Sequence, residues 1–400
     1  PVVTPQLAPE APVLIPQQTP AVQLQAALPP RPFRPPVVPQ RTLTEVSPLA
    51  EAPQLAANLT PGALSLPAQK LPPRPFTAPS GGPAPPTRSV AVDMPPPTPG
   101  TTLIDVSAAP LNPLDLLIAS GDFHSARHEI AYVPGSECVG TVLESRAFAP
   151  GTIVYAECHA SPATPGAFAQ QVRVADADVV PLPDGVDAEA AAAIGNSGVA
   201  AYLPLVDVAG LRAGESVLVL GATGSVGQLA VQIARLKGAG RVIGVARDSA
   251  ALERVAALGA DAVVQLQAGE TVDELGARIR EAAGPVDVIL DCLCGQPLEA
   301  ALQVCAPKAR VVNVGHSAGP VAAIPAGLLR GRQITLTGFA GIHVSLSEKH
   351  EALSWLWGEL AARHISVAVD SIPLEGLPAA WSAQAASPHA KYVVVPAGIR

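Results

Sequence analysis

Residues Gly221-Ala222-Thr223-Gly224-Ser225-Val226-Gly227 fall between an apolar run, Val217–Leu220, and an amphipathic segment, Val226–Lys237. Glycine permits a backbone approach that a β-carbon would block, so the pattern predicts a strand, a tight turn and a helix. Backbone N–H groups and the positive end of the helix dipole then form a cradle for phosphate. Set in a strand–helix–strand unit, such a cradle fits a dinucleotide pyrophosphate better than an ordinary turn. The same uncharged run, Ser216–Ala234, has membrane-spanning length. Its Gly221, Thr223, Gly224, Ser225, Gly227, Gln228 and Gln232 argue against a span.

The alternation continues downstream. Strands are predicted at Arg241–Ala246, Ala262–Val264, Val286–Leu290, Arg310–Val314 and Gln333–Leu336, and helices at Ala250–Leu258, Thr271–Ala283, Pro297–Val304 and Glu348–Arg363. Alternation requires crossovers, so the expected fold class is α/β, a Rossmann-type doubly wound parallel sheet. Upstream, Ser89–Val92, Thr102–Val106, Gly140–Leu143, Ile153–Ala156 and Val172–Val174 predict an irregular β-rich region. Ser366–Val369 and Tyr392–Val395 are expected to return to it.

Residues 1–73 hold 18 of the 45 prolines but one of the 34 glycines, Gly62, and one aromatic residue, Phe33. Proline lacks a donor and fixes φ, so a disordered, proline-rich tail is expected there. Leu28-Pro29-Pro30-Arg31-Pro32-Phe33 recurs as Leu71-Pro72-Pro73-Arg74-Pro75-Phe76. Compositional echo accounts for the repeat more simply than a pair of docking motifs. The body from Arg74 on carries 21 Lys and Arg against 30 Asp and Glu, which argues against a nucleic-acid footprint. Cys138, Cys158, Cys292, Cys294 and Cys305 show no framework spacing and read as reduced thiols. Together with an N-terminus lacking secretory-signal features, they set the expectation of a cytoplasmic protein without a membrane partner. The chain starts at Pro1 without a methionine and reads as a processed or engineered fragment.

A free ribose 2′-hydroxyl usually meets Asp or Glu at the end of the second strand of such a sheet. Here that end reads Gly244-Val245-Ala246-Arg247-Asp248. Ala246 leaves space and Arg247 can pair with a 2′-phosphate, so NADPH is expected over NADH. Asp248 could turn back toward a hydroxyl or cap the next helix.

The order of parts resembles the medium-chain dehydrogenase/reductase superfamily, and within it the zinc-independent quinone oxidoreductase branch. Matching stretches run from Ser107-Ala108-Ala109-Pro110-Leu111-Asn112-Pro113-Leu114-Asp115-Leu116 through Val133-Pro134-Gly135-Ser136-Glu137-Cys138-Val139-Gly140 and Gly166-Ala167-Phe168-Ala169. They continue with Val180–Gly185, the glycine loop, Leu258–Val264 and Ala390-Lys391-Tyr392-Val393-Val394. The resemblance covers roughly residues 76–396 and implies a GroES-like catalytic domain over 74–205, a Rossmann NADPH-binding domain over 206–363 and a return to the catalytic domain over 364–400.

The resemblance also implies a cofactor site of Gly221, Ala222, Thr223, Gly224, Ser225, Val226, Gly227, Arg247, Val314 and Gly315. Zinc-dependent relatives place ligands at positions occupied by Asn112, Ser136 and Asn196, none of which is a customary Zn²⁺ ligand, so no metal is expected. The adjacent Cys158 and His159 point to opposite faces of a strand and make a poor joint ligand. Without a metal, the implied chemistry is hydride delivery to a quinone or an α,β-unsaturated carbonyl, with donors aimed at the developing oxyanion.

Candidate catalytic residues are Asn112 and Asn196 as carbonyl donors, Tyr132 as proton donor, and His316 beside the nicotinamide; each has an ordinary structural role as its alternative. Phe123 and Ala200 depart from the branch's pattern, and the loop Asp122–Glu129, with His124 and His128, could line the substrate entrance. The expectation is an NADPH-dependent reductase of quinones or enones. Alternatives are an enoyl-thioester or polyketide enoyl reductase and a non-catalytic NADPH-binding interaction protein with a proline-rich docking tail. Relatives commonly dimerise, and Gln333–Leu336 would suit a homodimer edge.

Overall fold

The structure, a computed structural model, describes residues 76–77, 88–89, 97–120, 132–161, 163–385 and 388–396. The tail 1–73, the loop 122–129 and Phe123 lie outside the described residues. Strands β1 (Phe76–Thr77) and β2 (Arg88–Ser89) form a small antiparallel pair. Next come β3 (Thr101–Pro110), helix α1 (Pro113–Ser120), β4 (Glu137–Glu144), β5 (Ile153–Glu157), β6 (Gln171–Ala175) and β7 (Val179–Pro181).

Helix α2 (Ala188–Leu203) starts at Asp187, whose carboxylate accepts from the Ala190 N–H at 2.8 Å. With the turn that continues it to Val208, it is long and apolar enough to cross a membrane, yet it is a core helix packed on its neighbours.

The alternating region consists of β8 (Ser216–Leu220), α3 (Ser225–Leu236), β9 (Arg241–Ala246), α4 (Ser249–Ala257), β10 (Ala262–Gln265) and α5 (Val272–Ala283). It continues with β11 (Val286–Asp291), α6 (Gly295–Leu302), β12 (Cys305–Asn313), α7 (Ala326–Arg332), β13 (Thr335–Gly338) and α8 (Leu346–Ala361). Capping boxes open α5 at Thr271 and Glu274 and α8 at Ser345 and Glu348. The chain returns through β14 (Val369–Pro373), α9 (Leu377–Ala385) and β15 (Lys391–Val395).

Six strands form a parallel sheet in the order β10-β9-β8-β11-β12-β13. This is the doubly wound Rossmann order. Along β8, Val217 and Val219 face a core shared with α2, α3 and α8, whereas Leu218 and Leu220 face a core shared with α5 and α6. The period of two thus covers both faces with helices, as a buried parallel strand requires. The order reverses between β8 and β11, whose ends Leu220 and Asp291 are paired. Ligands of such sheets bind beside that reversal.

The other sheet runs β14-β15-β3-β4-β5-β7, with β6 on β3. It encloses its own core, including Ile104, Val142, Phe168, Trp381 and Val394. The returning strand was expected at Ser366–Val369 and lies at Val369–Pro373. A sheet-edge position tolerates Pro373, which has no N–H for a ladder. Helices α7 and α9 and strand β7 were not expected.

Candidate active site

The glycine loop joins β8 to α3 as expected. Gly221 has φ +86°, and a Cβ on Gly227 would lie 2.3 Å from the Gly221 carbonyl oxygen. Gly224 is the N-cap of α3 and supplies no side-chain cap, leaving first-turn N–H groups for an incoming acceptor. A Cβ there would approach only Gly221 O, at 3.6 Å, so the loop has room above Gly224. Cradle and helix end therefore fit a dinucleotide pyrophosphate.

The loop is also held from behind. Gln228 Nε2 donates to Thr223 O at 2.7 Å and to His389 O at 3.0 Å. Four positions on, Gln232 exchanges two hydrogen bonds with the Ser366 backbone, each of 2.9 Å. Two of the residues that argued against a membrane span, Gln228 and Gln232, are thus buried ties between α3 and the return segment.

At the neighbouring strand ends, Val314 N donates to Asp291 O at 2.8 Å. Asn313 Nδ2 donates to Asp291 Oδ2 at 2.7 Å and to Gly315 O at 2.8 Å. Val314 and Gly315 are therefore fixed at the carboxyl end of β12, beside the reversal. His316, the next residue, is exposed. At the end of β9, Arg247 is exposed and Asp248 caps α4, accepting from Ala251 N at 2.7 Å.

Asn112, Ser136 and Asn196 do converge, around the buried carboxylate of Glu137. Glu137 Oε1 accepts from Asn112 Nδ2 at 2.7 Å, and Oε2 accepts from the Tyr155 hydroxyl at 2.6 Å and the Asn196 N–H at 2.7 Å. Asn112 Nδ2 also donates to Ser136 Oγ at 3.2 Å. Its Oδ1 accepts from Lys391 Nζ, which donates further to Ser197 Oγ at 2.9 Å. Gly195 makes this packing possible, because a Cβ there would sit 2.3 Å from Glu137 Oε2.

Asp115 closes the cluster by accepting from Asn112 N at 2.8 Å. Burial pushes its carboxyl up to about 7, against the Asn112 N–H and the Ser136 hydroxyl, which favour the charge. Burial likewise drives Lys391 below the usual lysine range, while Glu137 and Asp115 hold it up. Tyr132 is buried near Asp115; burial first and that charge second push its hydroxyl up to about 12.

Donation by Asn112 to a substrate would require releasing Glu137 or Ser136. The Asn196 side chain is only partly buried, with Oδ1 facing the turn at Gly341. Glu137, Tyr155, Ser197 and Lys391 were missed as site residues. A charged Lys391 opening the apolar run Tyr392–Val395 was the available signal, since a buried charge needs partners.

Amide, hydroxyl and amide at Asn112, Ser136 and Asn196 do not fit a zinc ion. Among the described residues, no group of three or more His, Cys, Asp or Glu is placed to hold a metal. His159 pairs instead with Asp178 at 3.4 Å. A cavity of about 380 Å³ lined by Arg280, Cys305 and Arg332 lies at the amino ends of β11 and β12, away from the glycine loop.

A reversal-point cradle on a doubly wound sheet, with a β-rich lobe beside it, defines a nicotinamide-dependent oxidoreductase fold. Residues 98–184 match the alcohol dehydrogenase GroES-like domain family, and residues 225–358 match the zinc-binding dehydrogenase family. Mouse quinone oxidoreductase is 32% identical over 265 residues, covering 65% of this chain and 76% of its own. A mycobacterial protein solved in complex with NADPH superposes with TM-score 0.71 at 26% identity, over 81% of this chain and 100% of that one. A polyketide synthase subunit of Mycobacterium tuberculosis is 34% identical over 212 residues, 53% of this chain and 9% of that protein. The chain belongs to the quinone oxidoreductase branch of the medium-chain dehydrogenase/reductase superfamily.

Proposed function

We propose that the chain is an NADPH-dependent reductase of quinones or α,β-unsaturated carbonyls that works without a metal. The observation that carries this is the glycine loop opening α3 without a side-chain cap, with Arg247 exposed at the end of β9. The loop would hold the pyrophosphate, Arg247 the 2′-phosphate, and Val314 and Gly315 the nicotinamide end. NADPH when bound supplies the hydride. The Asn196 amide donates to the substrate oxygen as negative charge gathers there, and the Glu137–Asn112–Lys391 cluster fixes α2 behind it. Tyr132 is the candidate proton donor, His316 is the candidate beside the nicotinamide, and Asn112 is the second candidate carbonyl donor. The mouse and mycobacterial relatives support this reading.

Two further elements belong to it. Strand β13 is exposed along its length at the sheet edge, with Leu336 and Ile342 exposed nearby, and we propose it as the homodimer seam. Five free thiols support a cytoplasmic setting.

The test is NADPH oxidation by the full chain with a panel of quinones, enones and crotonyl thioesters. Turnover of quinones or enones is expected. Tight NADPH binding without turnover of any acceptor would sink the proposal. Preference for crotonyl thioesters would favour an enoyl-thioester reductase, the reading that the match to a polyketide synthase subunit supports.

A further inference from the structure

Asp248 poses a difficulty for an NADPH site. A carboxylate at this strand end accepts from a free 2′-hydroxyl and repels a 2′-phosphate. In this structure both of its oxygens are engaged elsewhere. Oδ1 caps α4 through Ala251 N at 2.7 Å, and Oδ2 lies 3.5 Å from Nε2 of His389. Asp248 is held below the usual carboxylate range first by that backbone N–H, and further by His389 and Arg254.

His389 lies two residues before β15, on the return segment. Among the described residues its Nδ1 is buried without a hydrogen-bond partner, and Asp248 is the polar side chain that the ring meets. The segment is placed by the glycine loop itself: Gln228 Nε2 bridges His389 O, at 3.0 Å, and Thr223 O, at 2.7 Å. One side chain of α3 therefore ties the phosphate cradle to the residue that reaches the carboxylate beside Arg247.

We propose that His389 is a positioning residue for cofactor choice: it holds Asp248 back toward α4 and leaves the Arg247 guanidinium to meet the ribose 2′-phosphate. The inference rests on the NADPH reading above. His389 acts through Asp248 and not on the nucleotide. Removing it frees the carboxylate to oppose a 2′-phosphate and to accept from a 2′-hydroxyl. A contact that only braced the return segment would affect both dinucleotides alike.

The experiment measures NADPH and NADH dissociation constants by tryptophan fluorescence and calorimetry on the full chain without acceptor. The proteins are wild type, His389→Phe, His389→Arg, Asp248→Asn and the double variant His389→Phe/Asp248→Asn. His389→Ala replaces His389→Phe should the latter fail to fold.

At a pH low enough to protonate the imidazole, His389→Phe is expected to lower the preference for NADPH about three- to fivefold, the scale of a partly exposed ion pair. That loss should shrink in high salt. His389→Arg should keep the preference. In the Asp248→Asn background, where the cap survives without the charge, His389→Phe should leave the ratio unchanged. Equal weakening of both cofactors, or a ratio change that persists without the Asp248 charge, overturns the proposal. A wild type that prefers NADPH but whose ratio ignores His389→Phe overturns the proposal alone. A wild type that binds both cofactors alike overturns the NADPH reading and the proposal with it.

Discussion

Lys391, the first residue of β15, is 2% exposed and donates from Nζ to Oδ1 of Asn112, 279 positions earlier in the chain. The bond clamps the return strand to the turn between β3 and α1. Because Ser197 takes a second Nζ donor, α2 joins the same point. An ammonium in this setting is tolerable only with its partners in place.

Lys391→Met should therefore destabilise the protein by about 3–5 kcal/mol, the range for breaking a buried charge cluster from one side. Asn112 Oδ1 loses its donor, and Glu137 and Asp115 lose the opposing charge. Urea unfolding of the two proteins at one pH measures this. A loss under 1 kcal/mol would show that the clamp contributes little.

Asp115 makes stability depend on pH. Its carboxyl titrates near the ordinary 3.8 when unfolded and at about 7 when folded, so between those values the native state binds more protons. Stability contributed by the protonated form is complete below about pH 4 and is lost as pH rises through 7. Asp115→Asn, which cannot ionise, should flatten the decline between pH 5 and pH 8, by on the order of 2–4 kcal/mol in difference. Parallel denaturation curves for both proteins across that interval would contradict this.

What the chain revealed in advance was local. Gly221 to Gly227 bring their meaning within seven positions, because close packing, turn and helix start are all made by neighbours. The period of two in Val217–Leu220 marked a strand covered on both faces. The exposed helix α7 buries no residue, and the three residues of β7 are too few to show a period. The carboxylate cluster drew on Asn112, Glu137, Tyr155, Ser197 and Lys391, from five elements or turns. Their meeting is a product of topology, which no short window contains. Asp248 lay between two readings until the placement of His389 gave its second oxygen a partner.

Two glycines of the loop separate folding from binding. At Gly227 a Cβ would lie 2.3 Å from Gly221 O and 2.6 Å from Ala222 Cα, so Gly227→Ala must shift the loop or α3. It should cost about 1–3 kcal/mol and weaken nicotinamide cofactor binding. At Gly224 the nearest atom would be 3.6 Å away and φ is −75°, so Gly224→Ala meets no clash and should cost only the roughly 0.5–1 kcal/mol of placing alanine at an N-cap. Its methyl group would nonetheless occupy the space above the cradle. Cofactor titration should show at least about tenfold weaker binding, equivalent to about 1.4 kcal/mol. Unaltered affinity in Gly224→Ala would place the pyrophosphate elsewhere.

Asn196 offers the sharpest test of the chemistry. Its backbone N–H holds Glu137 Oε2 at 2.7 Å, so removing only the side chain keeps that bond. Alanine also suits the interior of α2. Asn196→Ala should thus fold normally and bind the cofactor as before. If the amide donates to the oxygen that gains charge, kcat should fall about 10²- to 10³-fold, with kcat/KM falling equally, because the interaction is made in the transition state. A rise in KM at constant kcat would mean that Asn196 binds the ground state and the transition state equally and adds nothing to the chemical step. Unchanged kinetics would return the donor role to Asn112, whose amide would then have to leave Glu137 or Ser136 during turnover.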